Sequence, residues 1–217
     1  MADTLAQHKP FIADGGHGGG IIDAAGSGDP GGGHPHGASR RAYRTGMWFS
    51  MLGICMFFLA FTSSYIVRSG LSDDWVPVAI PSLMWWTTLL LIASSLTMEK
   101  TRRALSSGHR AELNQWLGAT LLLGFGFLVG QVAVWRELAS RGVFLTTNPS
   151  SSFFYLLTAS HGIHLLGGVL ALLYIAREAW LYRLGPAKRT LVEVTAMYWH
   201  FMDGLWVYIL MLLWLWR

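Results

Sequence analysis

The stretch YWHFMDGLW, residues 198–206, lies inside an apolar run from 195 to 216. About 20 apolar residues rising 1.5 Å each match a hydrocarbon core of roughly 30 Å, so this run predicts a transmembrane helix. His200 and Asp203 are three residues apart and share one helix face, and Glu193 falls on much the same face two turns before His200. A carboxylate inside a bilayer costs about 2.5 to 3.5 kcal/mol on insertion scales, so the pair predicts partners inside the protein.

Composition is typical of a polytopic membrane protein. Of the 217 residues, 53% are hydrophobic and 13% are charged, whereas about 25% charged residues is usual in soluble domains. The net charge of +4 comes from basic residues beside the apolar runs, which argues against nucleic-acid binding. The single cysteine, Cys55, excludes a disulfide within the chain.

Five apolar runs are each long enough to cross a bilayer as a helix. We therefore predict an all-α polytopic membrane protein with five transmembrane helices in a domain over residues 45–217. Residues 1–44 are rich in glycine and histidine and contain no long apolar block, so we expect a disordered cytoplasmic tail. The irregular spacing of the tail histidines argues against a metal site. The five runs are 46–67, 76–98, 115–135, 153–176 and 195–216.

Basic residues alternate between the connections of these runs. They are frequent before the first run, between the second and third, and between the fourth and fifth, and they are sparse elsewhere. Because lysine and arginine accumulate on the cytoplasmic side, this pattern predicts an N-terminus in the cytoplasm and a C-terminus outside. The richer side holds Arg40, Arg41, Arg44, Lys100, Arg102, Arg103, Arg110, Arg177, Arg183, Lys188 and Arg189.

The fourth run carries His161 and His164, again three residues apart on one helix face. At 1.5 Å per residue, His164 lies about 14 Å from the inner edge of the hydrocarbon core and Asp203 about 12 Å. A short connection favours neighbouring fourth and fifth helices. We therefore predict one hydrogen-bonded cluster of His164, His200 and Asp203.

Three functions fit such a cluster. The first is a structural network that fixes helix packing. The second is haem ligation by His164 and His200 in an electron-carrying cytochrome. The third is a proton or ion pathway, which normally needs several ionisable groups at staggered depths, whereas Asp203 is the only acid well inside a run. The residues favour the structural network and leave the other two open.

The sequence resembles cytochrome c oxidase subunit 3. YWHFMDGLW is similar to that family's YWHFVDVVW, and TASHGIHL at 158–165 is similar to its TGFHGLHV. Shorter matches are CMFF at 55–58, LIASS at 91–95 and residues 127–131, and Glu193 falls where the family has a glutamate seven residues before the YWHF histidine. The resemblance covers residues 45–217, and five runs fit the short bacterial form.

This resemblance implies a non-catalytic accessory subunit of a proton-pumping haem–copper terminal oxidase in aerobic electron transport. It implies a multi-pass protein of the bacterial cytoplasmic (inner) membrane, docked on the catalytic subunit I and subunit II. Support of proton uptake, stability of the catalytic subunit and a structural phospholipid are implied as well. Haem and copper would belong to the partner subunits, with no catalytic, cofactor-binding or metal-binding residue in this chain. Alternatives are subunit III of a quinol oxidase, an accessory protein of nitric oxide reductase and a bis-histidine membrane cytochrome.

The expected functional residues form two sets. A polar network is expected from His161, His164, Glu193, His200 and Asp203. Contacts with lipid or with neighbouring subunits are expected at Trp199, Trp206, Arg177 and Arg183.

Two positions depart from the family. Ile54 and Val134 stand where the family carries buried glutamates. The roles of those two acids are therefore not transferred to this chain.

Overall fold

The computed structural model describes residues 35–71, 75–181 and 186–216, with side chains at 41–71, 75–181 and 189–216. Within these residues, helices joined by short connections form the whole structure, which confirms the all-α prediction. The five helices are α1 (Pro35–Leu71), α2 (Leu83–Ser107), α3 (Arg110–Ser140), α4 (Pro149–Trp180) and α5 (Pro186–Leu215).

Four of the five helices are long and apolar enough to cross a membrane: α1, α3, α4 and α5. Helix α2 does not meet that measure, because it begins only at Leu83 and its last nine residues include Glu99, Lys100, Arg102 and Arg103. It also begins later than the predicted run at 76–98. Pro77 and Pro81 precede it in non-helical backbone, and proline lacks the N–H group that a helix interior needs.

Helix α1 begins at Pro35, ten residues before the predicted membrane domain at residue 45. Proline suits the first turn of a helix, where its missing N–H group has no intrahelical partner to lose. Residues 35–44, predicted as part of the tail, are therefore helical. The rest of the predicted tail, residues 1–34, lies outside the described residues.

Helix α5 is the centre of the bundle and packs against α1, α2 and α4. Helix α3 packs against α2 and α4, and α1 packs against α4 and α5. Within the described residues, the backbone of α1 does not come close to that of α2 or α3. A gap therefore separates α1 from α2, and α5 lies at its base.

The largest fully buried side chains are the two α5 tryptophans, Trp199 and Trp206. Glycines on the neighbouring helices make room for the first of them. A methyl group added at Gly124 of α3 would lie 2.7 Å from the Trp199 ring, and one added at Gly168 of α4 would lie 3.3 Å from it. The indole thus fills a space that α3 and α4 leave only because these residues have no side chain.

We predict that Gly124→Ala lowers the thermal stability of the detergent-solubilised protein. Overpacking of a well-filled core costs about 1–3 kcal/mol, and the rigid indole has no free space into which it can move. The measurement is the midpoint of heat-induced loss of the monodisperse peak in size-exclusion chromatography.

Gly118→Ala on the same helix is the matched control, since an added methyl group there meets nothing within 4 Å. Alanine favours a helix over glycine by about 1 kcal/mol, so this variant should equal or exceed the wild type. Equal stabilisation by both variants would show that Trp199 does not need the space at Gly124.

Candidate functional site

One face of α2 presents hydroxyl groups to the tryptophans of α5. The Trp199 indole N–H donates to Ser94 Oγ at 3.0 Å, and the Trp206 indole N–H donates to Thr88 Oγ1 at 3.0 Å. The earlier tryptophan pairs with the later hydroxyl, so α2 and α5 run antiparallel. Both indoles are completely buried within the chain, and the prediction that they contact lipid or neighbouring subunits was wrong.

The same helix uses other hydroxyl groups to bind α3. Gln131 Nε2 donates to Thr87 Oγ1 at 3.2 Å, and Thr120 Oγ1 donates to Thr97 Oγ1 at 2.9 Å. A polar side chain in a membrane protein is stabilised by a partner on a neighbouring helix. The serines and threonines that lower the hydropathy of α2 are therefore its packing surface.

His200 is also held by α2. Its Nδ1 lies 2.6 Å from Ser95 Oγ, next to the Trp199–Ser94 pair. The Ser95 hydroxyl also lies beside the carboxyl group of Asp203. Neither Asp203 oxygen, however, forms a hydrogen bond of normal geometry with any described residue, and the side chain is 7% exposed.

The two α4 histidines have different surroundings. His164 Nδ1 bonds to the Ser160 carbonyl oxygen of its own helix at 2.7 Å, and its ring packs against Phe57 and Phe58 of α1. His161 is fully buried, with its ring centroid 5.0 Å from that of Trp206. Neither of its nitrogens has a hydrogen-bond partner among the described residues.

The predicted hydrogen-bonded cluster of His164, His200 and Asp203 is therefore not formed. His164 faces α1, whereas His200 and Asp203 face Ser95 of α2. Sequence distance estimated the depth of each residue, but the rotation of each helix about its axis decides which neighbour a side chain meets. His164 and His200 are thus directed toward different helices, and this arrangement does not favour a single haem between them.

Glu193 lies at the basic end of the bundle, away from the buried side chains of His161 and Asp203. It lines a cavity of about 320 Å³ with Arg102, Arg103 and Arg189. A second cavity of about 260 Å³ is lined by Glu193, Arg102 and His200, among others. The three α5 members of the predicted polar network are thus spread along that helix, from Glu193 at an open cavity to Asp203 in the interior.

Of the two arginines predicted to meet lipid or subunits, Arg177 has an exposed side chain. Its guanidinium lies 3.6 Å from a carboxyl oxygen of Glu178, whose side chain is buried. Arg183 lies outside the described residues. Across the part of the chain that the structure describes, no group of three histidine, cysteine or acidic side chains could hold a metal ion.

Sequence reasoning missed Glu99, at the basic end of α2. Its carboxylate accepts hydrogen bonds from Arg102 at 2.8 Å and from Arg103 at 3.0 Å. The Arg102 hydrogen bonds lower the pKa of Glu99 to about 2, against the opposing effect of its burial. The signal was present in the sequence, because three- and four-residue spacings on a helix place an acid beside two arginines.

Comparison with known proteins shows a matching family and relatives that cover about three quarters of the chain. The family model described as "Cytochrome c oxidase subunit III" matches residues 32–217. A probable cytochrome c oxidase subunit 3 of Mycobacterium bovis is 32% identical over 156 residues, covering 70% of this chain and 77% of the relative. Cytochrome c oxidase subunit 3 of Synechocystis sp. is 32% identical over 180 residues, covering 76% and 75%. The Thermostichus vulcanus subunit is 28% identical over 181 residues, covering 77% and 87%.

We predict a measurable coupling between Trp206 and Thr88. In a double-mutant cycle of Trp206→Phe and Thr88→Val, the coupling energy should be about 0.6 kcal/mol and at most about 1.7 kcal/mol, the range found for interhelical hydrogen bonds in membranes. Reversible unfolding in mixed micelles provides the measurement. Trp214→Phe, at an exposed position, is the control and should change stability by less than about 0.5 kcal/mol. Additive effects in the cycle would contradict the bond.

A second prediction concerns pH. The folded-state pKa of Glu99 lies below its ordinary value of 4.5, so its arginine bonds stabilise the protein fully above pH 4.5. That contribution is lost as the pH falls toward 2. Its size should stay below about 1 kcal/mol, because solvent screens the pair. Thermal midpoints of the wild type and Glu99→Gln should differ slightly at pH 7 and converge at low pH, and a difference that grows on acidification would refute the assignment.

Proposed function

The chain belongs to the cytochrome c oxidase subunit III family, and from that membership we propose that it is a non-catalytic accessory subunit of a proton-pumping haem–copper terminal oxidase. The observation that carries the proposal is the family match over residues 32–217, which includes all five helices. Haem and copper would reside in the partner subunits, and this chain would act within the oxidase complex during aerobic electron transport.

The interior of the bundle supports a role without a redox centre. The space between α3, α4 and α5 is filled by aromatic side chains, with Phe127 packed edge-on against Trp206 at 4.9 Å and His161 packed beside both. Dense aromatic packing of this kind leaves little room for a macrocycle. A haem group would have to displace the side chains that hold the helices together.

We propose further that all five helices cross the bacterial cytoplasmic membrane, with the N-terminus in the cytoplasm and the C-terminus outside. Helix α2 has 25 residues, and at 1.5 Å per residue it is about 37 Å long, enough to cross. Arg44 of α1, Arg102 of α2 and Glu193 of α5 line one cavity, so the N-terminal parts of α1 and α5 lie beside the C-terminal end of α2. This alternation fits five crossings, and the positive-inside rule assigns the basic end to the cytoplasm.

Subunits I and II and phospholipid are the partners that this membership implies. Bulky apolar side chains cover the outer faces of the helices, including Trp48 and Phe49 of α1, Trp86 of α2 and Ile163 of α4. Such faces suit contact with lipid tails or with apolar helices of other subunits. Exposed arginines such as Arg177 suit lipid phosphate groups.

The role in proton uptake must differ in detail from relatives that carry the two buried glutamates. Val134 is completely buried in the apolar core. Ile54 is partly buried and packs against the same core. Neither offers a carboxyl group. Support of the catalytic subunit by this chain would therefore use stabilising contacts, lipid and the polar groups of α2 and α5.

We predict that the chain, tagged at its C-terminus and purified in mild detergent from its native membranes, brings down haem-containing subunits and oxygen-consuming activity. Gly124→Ala should lower the haem recovered per chain, and Gly118→Ala should not. Recovery of the tagged chain without an oxidase would refute the proposed function.

Expression of the chain alone, with haem supplied to the cells, separates the alternatives. The proposed subunit should show no Soret band. One haem per chain, abolished by His200→Ala, would instead establish a bis-histidine cytochrome.

A further inference from the structure

A cavity of about 260 Å³ opens between α1, α2 and α5 at the basic end of the bundle. It is large enough for several water molecules. Its wall includes Arg44 of α1, Glu99 and Arg102 of α2, and Glu193 and His200 of α5. It lies in the gap left because α1 packs on α4 and α5 and not on α2. His200 is thus reached from water although it belongs to a transmembrane helix.

Behind His200, polar groups continue into the protein. His200 Nδ1 lies 2.6 Å from Ser95 Oγ, and Ser95 lies beside the Asp203 carboxyl group. Asp203 is one helical turn deeper on α5 than His200, with 7% of its surface exposed and no hydrogen bond of normal geometry to any described residue. His200 and Ser95 therefore form a short chain of polar groups between the cavity and the buried carboxyl group of Asp203.

No cation among the described residues neutralises Asp203. The arginines Arg44 and Arg102 lie at the cavity, on the water side of His200. The two α4 histidines pack against aromatic rings and not against Asp203. His161 packs against Phe127 and Trp206. His164 packs against Phe57 and Phe58. A buried carboxylate without a partner is costly, whereas a neutral carboxyl group is much less so.

We propose that Asp203 is a proton-binding site that exchanges with the cavity through Ser95 and His200. Water in the cavity gives a proton to Nε2 of His200, the proton on Nδ1 passes to Ser95 Oγ, and the Ser95 hydroxyl proton passes to the Asp203 carboxylate. One hydronium ion becomes water, one carboxylate becomes a carboxyl group, and no electron moves. Reversal of the sequence returns the proton of Asp203 to the cavity water and restores the starting tautomer of His200.

The exchange follows from the geometry of this chain alone. Only its use, as a proton store on the uptake side of an oxidase, rests on the proposed function. The proton exchange and the proposed function can therefore fail separately. The exchange is tested by the infrared band of Asp203, and the proposed function is tested by the subunits that co-purify.

The test uses the full chain, purified with its co-purifying subunits, in lipid nanodiscs and labelled with ¹³C at the aspartate carboxyl. Infrared spectra should show a neutral-carboxyl C=O band that shifts with the label, is missing in Asp203→Asn and disappears as the pH is raised. On transfer to D₂O the band should shift rapidly in the wild type. In His200→Gln and Ser95→Ala the shift should be at least ten-fold slower.

Two controls separate a relay from a structural role. Ser95→Thr keeps the hydroxyl group and should keep the wild-type exchange rate. Ser64→Ala makes the same change as Ser95→Ala on the exposed face of α1 and should not alter it. The proposal is overturned if Asp203 gives no neutral-carboxyl band at any pH, if the band does not respond to pH, or if His200→Gln leaves the exchange rate unchanged while elution as a single peak shows the variant is folded.

Discussion

The hydrogen bonds between the indoles of α5 and the hydroxyl groups of α2 determine how this bundle is assembled. Hydrocarbon offers no partner to an indole N–H or to a hydroxyl group, so each must find one within the protein. Ser94 and Thr88 meet Trp199 and Trp206, and these two contacts fix the antiparallel register of α2 and α5. Gly124 and Gly168 then allow α3 and α4 to close around the first indole. The arrangement of four helices thus follows from two large side chains with one polar atom each.

The sequence predicted the helical class, the number of helices and the family resemblance, because those depend on run length and on specific motifs. It did not predict helix rotation. His164 and Asp203 were expected to meet because their estimated depths agree, yet His164 packs against Phe58 while Asp203 lies beside Ser95. Depth is one coordinate and rotation about the helix axis is another. Apolar residues cover every face of these helices, so their pattern carries little information about rotation.

The two tryptophans were misassigned for a related reason. Tryptophan is enriched at membrane interfaces, but Trp199 and Trp206 lie within the span and their N–H groups are satisfied by α2. A signal was available in α2 itself, where hydroxyl residues recur at 87–88, 94–95 and 101. That spacing of about two helical turns predicts a polar stripe on one face. Such a stripe within a membrane helix indicates contact with protein.

His200 follows Trp199 in the sequence, and Ser95 follows Ser94, so two hydrogen bonds of different kinds lie side by side between the same two helices. The Trp199–Ser94 bond is completely buried, whereas the His200–Ser95 pair borders a cavity. The buried Trp199–Ser94 bond and a second bond at Trp206, beyond Asp203, hold α2 and α5 at a fixed separation. His200 and Asp203 lie between these two fixed points on α5, and Ser95 is next to the first of them on α2. Their relative positions are therefore set by residues that take no part in proton exchange, and water can enter on one side of α5 without loosening the contact between the helices.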